Sequence, residues 1–249
     1  MPITTAKVDL SIIIPCYNEA ARLPGTLRRF HAYLADKGYS YEIIVVLDGS
    51  TDNTRDALRH LRGTITNLRI IDRAENRGKG YTIRQGMLAA SGRIRLFADA
   101  DNSTDIAHFD RMMPLFDKGY DLVIASRNSN DVLQARQTVP QALYKRFFGR
   151  AGNVIVQILA VPGIWDTQCG FKAFRSDVAE RLFSCLTIEG WGFDIEVLAL
   201  ARALRYRVGI IPANWVNDER SHFGSLDYLR VLGETLKIRY NFFTRKYGL

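Results

Sequence analysis

The chain has 249 residues, a hydrophobic share of 47% and a formal net charge of +8. That composition suits one large domain, or one domain with an appendage, and excludes a disordered chain. The positive balance favours an anionic partner (nucleotide phosphate, nucleic acid or an acidic membrane surface) without choosing among them. Cys16, Cys169 and Cys185 are odd in number and far apart, with no Cys-x-x-Cys pair, so neither a disulfide framework nor a zinc site is supported. No basic start followed by a long apolar run marks a signal peptide. The longest apolar candidate, Val154 to Trp165, is broken by Gln157, Pro162 and Gly163 and is too short to span a bilayer. The expectation is a soluble or peripheral protein of a reducing compartment.

Leu10 to Ile14 is a β-branched apolar run stopped by Pro15, which predicts a strand buried on both faces. After the loop Pro15-Cys16-Tyr17-Asn18-Glu19, the recurrence of Leu23, Leu27, Phe30 and Leu34 predicts a helix. Tyr41 to Leu47 reads as a second strand, ending in Asp48-Gly49-Ser50-Thr51-Asp52-Asn53-Thr54, a mixture of turn formers and helix caps. A helix to about His60 and a strand from Leu68 to Ile71 follow. Asn76-Arg77-Gly78-Lys79-Gly80 leads into a helix through Ala90, and a strand from Arg93 to Ala98 ends in Asp99-Ala100-Asp101. Strands alternating with helices predict an α/β fold with a parallel sheet covered on both faces.

In such a sheet, ligands bind outside the carboxyl ends of the strands. The Pro15–Glu19 loop, Asp48, Asp99 and Asp101 all fall there. Two carboxylates one residue apart suit Mg²⁺ or Mn²⁺, which is bound by one or two carboxylates plus substrate phosphates. A short Asp-x-Asp match is weak evidence by itself. The joint placement of four segments on one rim is what argues for a site.

A helix from about Ile106 to Lys118 and a strand from Asp121 to Ala125 bring Arg127 to the same rim, as a phosphate ligand or as a solvated surface cation. Arg136, Tyr144, Lys145, Arg146, Phe147, Phe148 and Arg150 form a basic aromatic segment, readable as a membrane contact, a nucleic-acid contact or a docked helix. Asp166-Thr167-Gln168-Cys169-Gly170-Phe171-Lys172 follows. Then Glu189-Gly190-Trp191-Gly192-Phe193-Asp194-Ile195-Glu196 sets two carboxylates beside an aromatic that can face a sugar or anchor a core. Arg207 to Ile211 predicts a last strand. From Ser225, residues Leu226, Leu229, Leu232, Leu236, Tyr240 and Phe243 recur at helical spacing among Arg230, Lys237, Arg239, Arg245 and Lys246. This predicts a basic amphipathic C-terminal helix, either docked on the domain or lying on a membrane.

The series Ser11 to Glu19, Asp48 to Asp52, Asn76 to Gly80 and Asp99-Ala100-Asp101 resembles family 2 glycosyltransferases of the GT-A fold. Asp166 to Lys172 and Glu189 to Asp194 are similar to the dolichyl-phosphate glucosyltransferases and their polyprenyl-phosphate relatives. The resemblance implies a Rossmann-like, mostly parallel sheet flanked by helices over residues 1–220, with residues 221–249 as the C-terminal helix. It implies inverting, metal-dependent transfer of a hexose, glucose from UDP-glucose, to a polyprenyl phosphate at the cytoplasmic face of a membrane, with no nucleic-acid partner. Alternatives are a GDP-mannose-dependent mannosyltransferase, a transferase to a hydroxyl acceptor, and a non-catalytic nucleotide-sugar-binding module.

Carried over by position, Pro15, Tyr17 and Glu19 would line the nucleotide pocket and Asp48 would contact base or ribose. Lys79 stands with the donor-binding residues. Asp99 and Asp101 would hold Mg²⁺ or Mn²⁺ against the donor diphosphate. Arg127 would bind phosphate, with Lys172 as a second candidate, and Trp191 and Asp194 would position the sugar. A hydroxyl acceptor would require a general base, for which Asp194 or Glu196 is best placed. Two positions depart from the family pattern. Leu47 stands where relatives carry the first of two aspartates. Ser103 stands where the mannosyltransferases carry Gln, which favours the glucosyl branch.

Overall fold

The computed structural model describes residues 8–65, 67–133, 135–137, 152–215 and 224–249, apart from the side chains at 136, 137 and 225. The basic aromatic residues Tyr144 to Arg150, and the side chain of Arg136, lie outside the described residues. Five parallel strands form most of one sheet: β1 (Val8–Cys16), β2 (Tyr41–Asp48), β3 (Leu68–Arg73), β4 (Gly92–Ala98) and β5 (Leu122–Ser126). A two-residue strand β6 (Arg136–Gln137) lies apart from it, paired with β9 (Asn214–Trp215). The sheet is completed by β7 (Phe171–Arg175) and β8 (Val208–Pro212), in the order β3-β2-β1-β4-β7-β5-β8.

β7 runs antiparallel between β4 and β5, an insertion that the sequence alternation did not indicate. Its register sets Phe97 opposite Lys172 and Ala98 opposite Phe171. This carries Cys169 and Gly170 to the end of β4, where the paired aspartates begin. The strand order reverses between β1 and β4, the place where a doubly wound sheet opens a crevice at its carboxyl edge.

The helices are α1 (Leu23–Lys37), α2 (Thr54–Leu61), α3 (Lys79–Ala89), α4 (Phe109–Asp117), α5 (residues 152–159), α6 (Ser176–Cys185), α7 (Phe193–Ala203) and α8 (Ser225–Phe243). Pro24 in the first turn and Gly38, with φ of 69°, at the C-cap bound α1. The helix predicted from Ile106 begins as a 3₁₀ turn, Ile106–His108, because the Asp105 carboxylate takes the Ala107 N–H and tightens the entry.

Successive strand residues point to opposite faces, and both faces are covered. Leu10, Ile12, Ile14, Ile43, Val45 and Leu47 pack beneath α1, α2 and α4. Ile13, Ile44, Val46 and Phe97 pack with α3, α6 and α7, and Val231 and Ile238 of α8 join them. Leu47, in the place of a family aspartate, is fully buried in the first of these cores. Pro15, predicted to stop β1, lies inside it, opposite Val46. Pairing with β4 has ended two residues earlier, at Ile13 opposite Phe97, so a residue that donates no N–H is tolerated there.

α3 crosses the sheet at Gly86, where an added Cβ would lie 2.5 Å from Ile13 Cγ2 and 3.0 Å from Val46 Cγ2. Gly→Ala in a helix gains about 1 kcal/mol of propensity, whereas overpacking a core costs about 1–3 kcal/mol. Two stiff β-branched neighbours make the second term the larger. Gly86→Ala should therefore lower the urea midpoint, by about 1–2 kcal/mol of stability; a raised midpoint would show that Ile13 and Val46 can yield.

Candidate active site

Loops from separate strands are tied to one another in sequence around the carboxyl edge. Asn18 adopts φ of 56°, a left-handed conformation that Asn tolerates. Its Oδ1 accepts the Thr51 N–H at 2.8 Å and the Asp52 N–H at 3.3 Å. The Glu19 N–H donates to Thr54 Oγ1 at 2.8 Å, so the loop after β1 is bound to the loop after β2. Asp48 then joins that loop to the next. Its carboxylate accepts from Arg73 Nη2 at 2.5 Å and from the backbone N–H groups of Arg77 and Gly78 at 2.8 Å each. It thus occupies the N-terminus of α3, where N–H groups lack helical partners. Gly78 has φ of 101°, and a Cβ there would meet Glu189 O at 2.6 Å. The Tyr81 N–H donates to the same carbonyl at 3.1 Å, linking this loop to the Trp191 loop.

The first helical residue, Lys79, reaches Asp99 Oδ1 at 2.6 Å, and its ammonium lies 5.1 Å from the Trp191 ring. Burial pulls the lysine's pKa down, but Asp99, Asp194 and Asp101 outweigh it and hold the group above its ordinary value. Asp99 lies against Gly170: its N–H donates to Gly170 O at 3.2 Å, and a Cβ on Gly170 would fall 1.9 Å from Asp99 Oδ2. Asp101 Oδ1 accepts the Ser103 N–H at 2.9 Å, and its Oδ2 lies 3.9 Å from Arg22 Nη1. Arg22 is itself held by Glu19 through bonds of 2.6 and 2.5 Å. Burial, and then the charge of Asp99, raise the Asp101 pKa.

The remaining sequence candidates divide in their placement. Pro15 and Tyr17 lie at the end of β1, with Tyr17 exposed. Arg127 donates through Nε and Nη2 to Asp166, both at 2.8 Å, with its backbone N–H on the same carboxylate at 2.7 Å. Its guanidinium lies 5.2 Å from the Trp215 ring. Desolvation opposes this cation, but Asp166 more than compensates and raises its pKa. Burial acts to raise the Asp166 pKa, yet Arg127 holds it below the usual carboxylate range. Lys172 is fully buried and donates to Cys169 O and Asp194 Oδ1, each at 2.6 Å. Burial raises the Asp194 pKa despite the two lysines near it. Glu196 is spent on the N–H groups of Thr187 and Ile188, the Thr187 hydroxyl and the Tyr247 hydroxyl, which takes it out of consideration as a base.

Arg22, Asn18, Asp166 as the partner of Arg127, and Glu234 were not assigned roles from sequence. Glu234 of α8 accepts the Gly192 N–H at 2.6 Å and fills the space over Gly190. Apart from Arg22 with Glu19, three positions away, these pairings have no local sequence signature, because each joins elements far apart in the chain. The two glycines flanking Trp191 were the available signal, since Glu234 occupies the space where their Cβ atoms would lie.

Among the described residues, no group of three or more His, Cys, Asp or Glu side chains is arranged to hold a metal ion. Asp99 and Asp101 nevertheless fit a divalent cation. They are like charges crowded at the end of one strand, and the buried Asn102 Oδ1 beside them has no hydrogen-bond partner. A cation needing further oxygens would take them from a substrate phosphate.

The model for glycosyl transferase family 2 matches residues 11–183. The chain belongs to this family. It is 36% identical over 230 residues to the dolichyl-phosphate beta-glucosyltransferase of Drosophila melanogaster, covering 86% of this chain and 69% of that one. It is 32% identical over 252 residues to the enzyme of the same name from Homo sapiens, covering 97% and 78%. Among solved structures, mannosyl-3-phosphoglycerate synthase from Rubrobacter xylanophilus aligns with a TM-score of 0.68 at 15% identity, over 97% of this chain and 76% of that one. Glucosyl-3-phosphoglycerate synthase from Mycobacterium tuberculosis, in complex with Mn²⁺, UDP-glucose and phosphoglyceric acid, aligns with a TM-score of 0.66 at 19% identity, over 95% and 81%. The fold is that of the GT-A glycosyltransferases.

Two variants probe this geometry. Gly170→Ala displaces a carboxylate rather than backbone, so the thermal midpoint should stay near wild type while sugar transfer falls about 100-fold, the usual cost of an ångström-scale misplacement. Unchanged turnover would separate the Asp99 position from the reaction. Asp101→Asn keeps the acceptor oxygen for Ser103 and removes the repulsion with Asp99. A carboxyl whose folded pKa is raised costs stability once ionised, and costs nothing below its unfolded pKa. In chelator-treated buffer the variant should therefore melt above wild type at neutral pH, with the gap closing on acidification and transfer lost throughout. A lower midpoint at neutral pH would show that Asp101 stabilises the empty fold.

Proposed function

We propose that the protein transfers glucose from UDP-glucose to a polyprenyl phosphate of the dolichyl type, with inversion at the anomeric carbon, at the cytoplasmic face of a membrane. The observation that carries this is the meeting of Asp99, Asp101 and Lys79 at the sheet's switch point, in a family 2 chain whose relatives are named dolichyl-phosphate beta-glucosyltransferases.

Asp99 and Asp101 would hold Mg²⁺ or Mn²⁺, which supplies Lewis-acid neutralisation of the donor diphosphate. Lys79, already kept cationic beside Asp99, offers a second positive charge to the diphosphate oxygen that gains charge as the glycosidic bond breaks. Pro15, Tyr17 and Glu19 would border the nucleoside. Asp48 acts there by holding the Asn76–Gly80 loop, because its carboxylate is already bonded to that loop. Arg127 would take the acceptor phosphate from its fixed position on Asp166. Lys172 sets Asp194, and Trp191 offers a face to the sugar. An acceptor phosphate oxygen attacks the anomeric carbon, the bond to the diphosphate breaks, and the electron pair leaves with UDP.

The state of the carboxylates favours phosphate over hydroxyl as acceptor. A phosphate monoester has a second pKa near 6 and is an anion at neutral pH, so it needs no base. The two base candidates are engaged: Asp194 with Lys172, Glu196 with Thr187, Ile188 and Tyr247. Purified protein offered UDP-glucose or GDP-mannose, with detergent-solubilised polyprenyl phosphate or an alkyl glucoside, should turn over only UDP-glucose with the lipid phosphate, and should stop on chelation. Turnover confined to the alkyl glucoside would reverse the acceptor, and donor binding without turnover in every combination would leave a binding module.

A further inference from the structure

The outward face of α8 has no role in the chemistry above. α8 is 19 residues long, about 28 Å at the helical rise. Its inward side is buried through Asp227, Val231, Thr235, Ile238 and Asn241. Of the apolar residues read from the sequence pattern, Leu232 is half-buried and the others lie elsewhere. Leu226 and Leu229 are each 67% exposed, Leu236 54%, Tyr240 64% and Phe243 86%. With exposed Gly233 they occupy positions three and four apart, so they form one continuous stripe opposite the docked side. Arg230 and Lys237 border one edge of this stripe and Arg239 the other, by the same helical periodicity. Every exposed ionic side chain of residues 224–249 is cationic, with Arg245 and Lys246 added beyond the helix. Of the two carboxylates, Asp227 caps the start of the helix and pairs with Arg230 at 3.2 Å, and Glu234 takes the Gly192 N–H.

We propose that this stripe is a docking surface for an anionic bilayer, with the helix lying in the interface. This rests on the reading of a lipid-phosphate acceptor and adds the surface that brings the enzyme to it. Leucine and aromatic side chains with flanking Lys and Arg are the composition that buries one face of a helix among headgroups and acyl chains. Juxtaposed cations gain further from a negative lipid surface. A twofold pairing of α8 with a second copy is disfavoured by the same charges, because an isologous contact would bring like cations together. Among the described residues, no helix is long and apolar enough to cross a membrane, so attachment through them is lateral. The docked side also carries Glu234, which holds the Gly190–Gly192 loop. The bilayer contact and the Trp191 loop are thus two faces of one helix.

The test is co-flotation of the full chain with vesicles that contain no polyprenyl phosphate. One set is phosphatidylcholine alone and the other is phosphatidylcholine mixed with phosphatidylglycerol. Wild type should float with the mixed vesicles, poorly with the neutral ones, and less as salt rises. The triple variant Leu229→Glu/Leu236→Glu/Phe243→Glu should lose flotation at least tenfold with an unchanged circular-dichroism melt. Arg239→Gln/Arg245→Gln/Lys246→Gln should retain weak binding and lose the preference for anionic lipid. Undiminished flotation of the triple variant overturns the proposal. So does a dimeric mass in solution that the triple variant converts to a monomer. Transfer to detergent-solubilised lipid phosphate separates the two ideas. Lost flotation of wild type with intact transfer sinks the surface alone, and flotation without transfer to any lipid phosphate sinks the acceptor.

Discussion

The position of Lys79 depends on a carboxylate that does not touch it. Asp48 takes two backbone N–H groups at the start of α3 and the guanidinium of Arg73, and so fixes where α3 begins. Charge-assisted bonds from backbone N–H to carboxylate are stronger than neutral ones, and this carboxylate is buried. With the helix start fixed, its first residue presents an ammonium to Asp99 at 2.6 Å. Gly78 permits this only because no side chain intervenes between the loop and Glu189 O. Loss of the Asp48 carboxylate would free the Asn76–Gly80 loop, Lys79 and the contact with the Trp191 loop together.

Much of this was legible in sequence, for a physical reason. Apolar runs ending in Asp or turn formers mark parallel strands and their carboxyl ends, and topology carries those ends to one edge. The placement of Asp48 and Asp99 follows from that rule alone. What the sequence did not carry is which charges pair. Arg127 and Asp166 are 39 positions apart, and Lys172 and Asp194 are 22 apart. Both pairs exist because β7 inserts antiparallel between β4 and β5, an event with no periodic signature. Lys172 read as a second candidate for binding phosphate. As a strand residue opposite Phe97 it points into the sheet's buried side, and its charge requires the Asp194 counter-ion.

Charge alternates through this part of the molecule. Lys79 faces Asp99, Lys172 faces Asp194, Arg127 faces Asp166, and Arg22 faces Glu19 with Asp101 beyond it. Burying so many ions is not in itself stabilising, since desolvation consumes much of the attraction. The arrangement makes sense as preorganisation for a ligand with its own charges: a diphosphate presented to cations and a divalent cation presented to carboxylates would meet partners already oriented. Asp101 shows the cost most directly, because its pKa is pushed up in the empty protein. On the proposed reading, a divalent cation between Asp99 and Asp101 would relieve that repulsion, which marks the pair as a candidate for binding rather than for the stability of the fold.

The C-terminal helix extends the same logic to the periphery. A helix apolar on one side docks or binds a membrane; α8 buries a mixed face of Val231, Ile238, Thr235 and Asn241 and keeps an apolar stripe outside, so the two readings of its sequence are not exclusive. Val231 and Ile238 commit one face to the core, and the leucine stripe remains outside. A spacing of three and four keeps residues on one face, and the apolar residues read from the sequence are mainly those of the outer stripe, without Val231 and Ile238. Glu234 gives the inner face a second duty, since its carboxylate replaces the side chains that Gly190 and Gly192 lack. Trp191 is therefore supported from beneath by the element whose other side is exposed. A displacement of α8 would carry Glu234 with it and loosen the Gly190–Gly192 loop, whose tryptophan ring lies 5.1 Å from the Lys79 ammonium.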